Sequence, residues 1–304
     1  GKGIVVSEPS AVAFDTDTGR LLAVGQKAAD MIGRNPDSIT VIKPMRSGVI
    51  SDFTATKAIV RVLLYKVCKN MVFKPNIVVC MPSTVTNLEK RTILDLVTAA
   101  GAGRACLIEE PLAAALGAGL DIRRPMGTMV VDIGGGSTEI CVGFGTDVGA
   151  RHSFRLGCVR CSKQFDTTTA RGRGELKKHC FTLFRETDLM ESMRNVKRWI
   201  GVGGTVTSLA SMLQELEVYD SSKVQDYVIH PEDVSEILEK LSQMSYDDKC
   251  HMKGLLPSRA DIIVAGVVIL DSLMEYFALS EITVSDRDLS EGLLDADVIS
   301  PTEK

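Results

Sequence analysis

Val130–Glu139 reads VVDIGGGSTE, a hydrophobic strand that ends on an acid and breaks into three glycines. The apolar run Thr128-Met129-Val130-Val131 stops at Asp132. Gly134, Gly135 and Gly136 follow, then Ser137 and Thr138, and apolar residues resume at Ile140-Cys141-Val142. The pattern predicts strand, tight turn, strand. Glycine accepts backbone angles that let successive N–H groups converge on one anion, and such a nest binds phosphate. Ser137 and Thr138 add hydroxyl donors, and Asp132 at the strand end is placed to hold a hydrated Mg²⁺. A bare triple glycine would read as an ordinary hairpin turn. The acid before it and Ser-Thr-Glu after it favour a phosphate site.

Upstream, short strands are expected at 4–6, 11–14 and 21–24, with Asp15–Gly19 as a tight turn. A short helix begins at Ala28, and 39–42 reads as strand. Asp52 or Thr54 caps a helix that carries Ile59, Val62, Leu63 and Val67 at helical spacing. Strand 76–81, helix 87–100 (Leu88, Ile93, Leu94, Leu96 and Val97 inward), strand 105–108 and an Ala-rich helix 111–118 then alternate, which implies an α/β layer fold. Pro125-Met126-Gly127 is the expected boundary, giving domains 1–127 and 128–304. Downstream, 166–200 reads as charged and helical, with Arg171-Gly172-Arg173-Gly174 as a flexible break. Helices follow at 209–216, 231–244 and 259–277, and a closing strand at 282–284.

The chain has 304 residues, 45% hydrophobic and 24% charged, enough for two domains with their own cores. A net charge of −4 argues against a nucleic-acid binder. No apolar run approaches the ~18 residues of a membrane span, and no cleavable signal pattern opens the chain. The eight cysteines are scattered, mostly in apolar settings, as expected of reduced thiols in a cytoplasmic protein. Cys158-Val-Arg-Cys161 is a lone CxxC, and the four histidines form no spaced ligand set.

The glycine segment resembles the second phosphate loop of the actin, sugar-kinase and Hsp70 superfamily. Residues 1–145 resemble the bacterial actin homologue MreB, through Gly3–Ser10 (GIVVSEPS), Val41–Phe53 (VIKPMRSGVISDF) and Leu107–Leu120 (LIEEPLAAALGAGL). From about 134 to 296 the chain resembles the Ppx/GppA exopolyphosphatase and pentaphosphate phosphohydrolase family. The stretches are Ser153–Arg160 (SFRLGCVR), Gly201–Ala210 (GVGGTVTSLA), Arg259–Gly266 (RADIIVAG) and Val284–Leu294 (VSDRDLSEGLL). The resemblance implies a two-lobed actin-like ATPase fold of the ribonuclease H-like type, with the ligand cleft between lobes. It implies Mg²⁺-dependent phosphoanhydride hydrolysis as parent activity, on ATP in the MreB manner or on polyphosphate or pppGpp in the Ppx/GppA manner. MreB likeness also implies a homo-oligomer or filament.

Glu109-Glu110-Pro111 ends a strand and enters a helix, the place where open α/β sheets put their ligands. Either acid could serve only the helix dipole. The sharper reading has Glu110 orient or deprotonate the attacking water. Glu110 stands 22 positions before Asp132, and both resembled families place their catalytic glutamate at this distance. Gly201-Val-Gly-Gly-Thr205 precedes a helix whose first amides can bind phosphate or the sugar side of a nucleotide. Gly201, Gly203, Gly204 and Thr205 are therefore candidate ligand residues.

Two departures stand out. The superfamily's first phosphate loop is expected to precede the stretch matched by Gly3–Ser10, so the reading has that hairpin missing and hydrolysis impaired. Ser290 stands where the Ppx/GppA motif carries Arg. Two readings other than an active hydrolase stay open: an MreB-like structural filament protein, and a non-catalytic nucleotide-binding hybrid.

Overall fold

The strand Gly127–Ile133 is the centre from which the site is built, and it lies in the second of two compact units. The computed structural model describes residues 5–46, 49–68, 74–82, 85–117, 127–144 and 147–287. Packing divides the chain into residues 1–109 and 110–304.

The first unit opens on β1 (Val12–Asp15), β2 (Leu21–Val24), the short α1 (Gln26–Ala29) and β3 (Ile39–Ile42). These strands form an antiparallel sheet ordered β2-β1-β3. Val5 and Val6, expected as strand, are irregular, and Ile4 lies outside the described residues. A hairpin of β4 (Met45–Arg46) and β5 (Val49–Ile50) leads to α2 (Phe53–Cys68). Asp52 starts that helix by accepting from the Ala55 N–H at 2.8 Å. Its Ile59 is buried, but Val67 is 53% exposed. Parallel strands β6 (Asn76–Met81) and β7 (Arg104–Glu109) flank α3 (Asn87–Ala100). A Thr86–Glu89 capping box fixes the start of α3. Leu88, expected inward, is 76% exposed. It belongs to the first turn, beside the cap, and the buried face is set by Leu96, Val97 and Ala100.

The second unit begins with α4 (Glu110–Gly117), followed by β8 (Gly127–Ile133), β9 (Thr138–Phe144) and β10 (Asp147–Phe154). Next come α5 (Cys158–Gln164), α6 (Ala170–Arg185), α7 (Leu189–Ser192), β11 (Val196–Val202), α8 (Gly204–Leu213), α9 (Ser221–Val224) and β12 (Val228–Ile229). The remaining elements are α10 (Pro231–Gln243), α11 (Tyr246–Cys250), α12 (Ile263–Tyr276) and β13 (Ile282–Val284). One sheet runs β10-β9-β8-β11-β13-β12. It is antiparallel through β10, β9 and β8, and parallel through β8, β11 and β13. Because α4 packs on β8 and β9, packing assigns residues 110–117 to this unit. Of the sequence boundary at 125–127, Pro125 and Met126 lie outside the described residues, as does Ser290.

Helix α12 is apolar and buried nearly all round, which is why it sits at the centre of the core. Helix α10 buries a stripe of Val234, Ile237 and Leu241, and α6 buries Leu176, Cys180 and Phe184. Phe184 meets Phe154 edge-on at 5.1 Å between ring centres. Among the described residues no helix is long and apolar enough to cross a membrane.

The expected break at 171–174 is a correction. Helix α6 runs through Arg171, Gly172, Arg173 and Gly174, capped by Thr169 accepting from the Gly172 N–H at 3.0 Å. Gly172 is there for space, since a Cβ on it would lie 2.0 Å from the Asp166 carbonyl oxygen. A Cβ on Gly174 would meet nothing within 4 Å beyond its own helix. Likewise 196–200, expected within the helical stretch, belongs to strand β11 (Val196–Val202). Gly174→Ala should therefore stabilise the protein by about 0.5–1 kcal/mol, the usual glycine penalty in a helix. Gly172→Ala, two residues away, should destabilise it despite the same propensity gain. Chemical unfolding of both variants checks this; a shared sign would refute it.

Candidate functional site

The register of one hairpin brings two acids face to face. β8 and β9 pair with Ile133 opposite Thr138 and Asp132 opposite Glu139. The Gly134 N–H donates to the Ser137 carbonyl at 3.0 Å and closes the turn. Directly opposed residues in an antiparallel pair project on the same face. Asp132 is partly buried, and Glu139 is 4% exposed. Glu139 accepts from the Ser153 hydroxyl at 2.8 Å. Glu110, first residue of α4, is the third acid of this group. Burial, then the charges of Glu139 and Asp132, raise its carboxyl from 4.5 to about 7. Glu109 ends β7 and pairs with Lys90 Nζ at 3.4 Å.

The glycine turn packs on the start of α5. Cys158 N–H donates to the Gly134 carbonyl at 3.0 Å, and the Val159 and Arg160 N–H groups donate to that of Gly135 at 3.0 and 3.1 Å. Arg160 Nε donates to the Gly136 carbonyl at 2.9 Å. The contact is so close that a Cβ on Gly157 would lie 2.3 Å from the Gly135 oxygen. Gly135 and Gly136 are exposed, and Ser137 is partly so.

Gly203 caps α8 at φ +86°, a left-handed conformation suited to glycine. A Cβ there would stand 2.4 Å from Asp132 Oδ1, so glycine keeps space open in front of that carboxylate. The Arg259 guanidinium lies against Gly204, where an added Cβ would be 1.9 Å from Nη1. Beside them is a cavity of about 340 Å³, whose lining includes Thr207, Tyr219, Arg259, Ser285 and Asp286. The Tyr219 hydroxyl is bonded to the Asp286 carboxylate.

Three expected ligand residues are placed otherwise. Thr138 is fully buried and its hydroxyl donates to the Leu156 carbonyl at 2.6 Å. Thr205 is 1% exposed; its hydroxyl reaches the Ile133 carbonyl at 3.4 Å, and its side chain fills the space above Gly266. At Gly201 the Cβ space is taken by Ile282 and Val206, each at 2.8 Å. These residues shape the site from behind. Glu139, Arg160 and Arg259 were not singled out from the sequence, although a four-residue turn would have paired Glu139 with Asp132. Burial raises the Cys158 and Cys161 thiols, and that of Cys180 to about 12, so these thiols stay protonated.

A divalent cation fits this arrangement. Opposed acids repel unless a proton or cation intervenes, and Gly203 leaves room before Asp132. Among the described residues no three His, Cys, Asp or Glu form a metal-holding group.

Residues 1–165 match the MreB/Mbl protein family, and residues 109–300 match the Ppx/GppA phosphatase family. Each match covers more than half of the chain. The chain therefore belongs to both families, by overlapping parts, and to the actin-like superfamily that includes them. The overlap, 109–165, contains Glu110, Asp132, the glycine loop and Arg160. Among curated relatives, the cell shape-determining protein Mbl of Bacillus cereus is 46% identical over 143 residues, 47% of this chain and 43% of that protein. The cell shape-determining protein MreB of Escherichia coli is 40% identical over 182 residues, 58% of this chain and 52% of that protein. The chain thus spans about half the length of the curated relatives it matches. Among solved structures, the Ppx/GppA family member of Aquifex aeolicus superposes with a TM-score of 0.66 at 19% identity, covering 97% of this chain and 96% of that one. That likeness shows the fold, which is actin-like.

Glu110 gives a signed pH effect. The folded protein keeps its proton up to about pH 7, whereas the unfolded chain releases it near 4.5. The folded state binds the extra proton between those values, so this contribution to stability is complete below pH 4.5 and lost as pH rises through about 7. Glu110→Gln, which cannot ionise, should match wild-type Tm near pH 4.5 and exceed it at pH 8. A difference independent of pH, measured by thermal unfolding, would contradict the assignment.

Proposed function

We propose that this chain binds the phosphates of a nucleotide with Mg²⁺ in its second unit and hydrolyses a phosphoanhydride bond, with Glu110 acting on the attacking water. The observation that carries this reading is the acid group itself: Glu110 raised to about 7 beside Asp132 and Glu139. A general base works best when its pKa lies near the working pH. Amides of the glycine loop donate to phosphate oxygens, joined by Ser137. Asp132 would hold the metal with Glu139 beside it, and bound Mg²⁺ supplies neutralisation of phosphate charge. The oxygen of the attacking water bonds to the transferred phosphorus and its proton passes to the ionised Glu110 carboxylate, while the anhydride P–O bond breaks and its electron pair leaves with the departing phosphate.

The cavity beside Gly203 and Gly204 favours a nucleotide over a bare polyphosphate chain. It contains an aromatic ring and a carboxylate, Tyr219 and Asp286, which suit a nucleoside with its hydroxyl and N–H donors. A polyanion would meet repulsion from Asp286. Polyphosphate or pppGpp cleavage in the Ppx/GppA manner is the second reading, favoured by Arg259 beside the same helix start. Nucleotide-dependent filament formation, as in MreB, is compatible with either.

Three variants test the roles. A ligand at ~100 Kd stabilises a protein by ~2.7 kcal/mol, and Asp132→Ala should abolish the Mg²⁺-dependent part of that gain. Equal thermal shifts in wild type and variant would remove Asp132 from the site. Glu110→Gln should lower kcat by ~10²–10⁴-fold while leaving ligand affinity nearly intact. Glu109→Gln should cost much less, because Glu109 is engaged with Lys90. Phosphate release by the three proteins decides; a dead Glu109→Gln with a normal Glu110→Gln would overturn the assignment.

A further inference from the structure

We infer that Arg160 is a positioning residue of the phosphate loop, setting the peptide between Gly136 and Ser137 so that the Ser137 N–H faces the ligand. The inference rests on the phosphate-binding reading above. In a trans peptide the C=O of one residue and the N–H of the next lie in one plane and point in opposite directions. Capturing a carbonyl therefore aims the following amide. Three successive loop carbonyls, of Gly134, Gly135 and Gly136, are all captured on the α5 side. The amides of Gly135, Gly136 and Ser137 are accordingly turned the other way, as a phosphate nest requires.

The three captures are not equivalent. Backbone amides of residues 158–160 hold the first two carbonyls, and almost any side chains there would allow this. The third is held by a side chain, Arg160 Nε at 2.9 Å. Gly136 is exposed, and a Cβ on it would meet nothing within 4 Å. Packing therefore does not fix this peptide. A guanidinium suits the task, because Nε can hold the carbonyl while its two Nη groups remain as donors. Among the described residues no carboxylate lies within ion-pair distance of Arg160, so its charge is left to favour an anion on the loop.

The test uses Arg160→Ala and Arg160→Lys in the full chain, titrated with Mg²⁺ and either inorganic pyrophosphate or the non-hydrolysable ATP analogue AMPPNP. Hydrogen bonds involving a charged group are worth roughly a 10–100-fold change in equilibrium. Arg160→Ala should weaken both probes by that factor, since the loop holds phosphates whichever ligand carries them. The Ser137 amide should also exchange faster with solvent in the unliganded variant. Arg160→Lys, which keeps a donor and the charge, should recover most of the affinity, and so guards against a variant that simply fails to fold. Guanidinium ion at non-denaturing concentration should partly rescue Arg160→Ala. Unchanged affinity in Arg160→Ala would overturn the inference, as would a loss confined to AMPPNP or unaltered Ser137 exchange. If wild type binds neither probe, the phosphate-binding reading fails and the Arg160 role falls with it. If wild type binds and Arg160→Ala binds equally, only the Arg160 role falls.

Discussion

The opposition of Asp132 and Glu139 across one hairpin is the constraint on which the site depends. Two acids at directly paired positions, one of them almost wholly buried, repel in a medium that screens poorly. Neither can turn away, because a one-residue slip of register would drive the apolar faces of β8 and β9 into solvent. The fold answers with a hydroxyl from Ser153 on Glu139 and with a proton retained on Glu110. The glycine turn adjoins these acids, so the proposed cation and phosphate sites are two ends of one short segment.

The helices around this segment act as its mounting. The start of α5 holds the loop carbonyls from behind, and the start of α8 meets Asp132 through a glycine that leaves room before the carboxylate. Helix α4 carries Glu110 against β8 and β9. Each contact uses a residue chosen for size, such as Gly157 under Gly135, Gly203 before Asp132 and Gly266 under Thr205. A methyl group at any of them would displace a neighbour, so the site's precision comes from close backbone approach.

Most strands and helices were legible because their signals are local: short apolar runs in β1 to β3, the apolar run of β8, and the Asp52 start of α2. The tight turn between β8 and β9 was legible because three glycines follow an apolar run that ends on Asp132. What was not legible depends on long-range packing. Thr138 and Thr205 look like ligand hydroxyls, yet both are spent on carbonyls in the interior, and nothing in their own neighbourhood announces it. Gly172 and Gly174 look like a matched break, but one fits against the Asp166 carbonyl and the other merely tolerates the helix. Glu139 was the avoidable omission, since turn length alone fixes its partner. The acid group and loop fall where the two family matches overlap, which is why both resemblances pointed to Glu110.

The central claim is that Glu110 holds its proton up to about pH 7 because it is buried and lies beside the charges of Glu139 and Asp132. Following the Glu110 carboxyl carbon by NMR through a pH titration measures this directly. The account predicts a midpoint near 7 without divalent metal, falling when Mg²⁺ and a non-hydrolysable nucleotide are added. A midpoint at the ordinary glutamate value, or one that ignores Mg²⁺ and nucleotide, would contradict it.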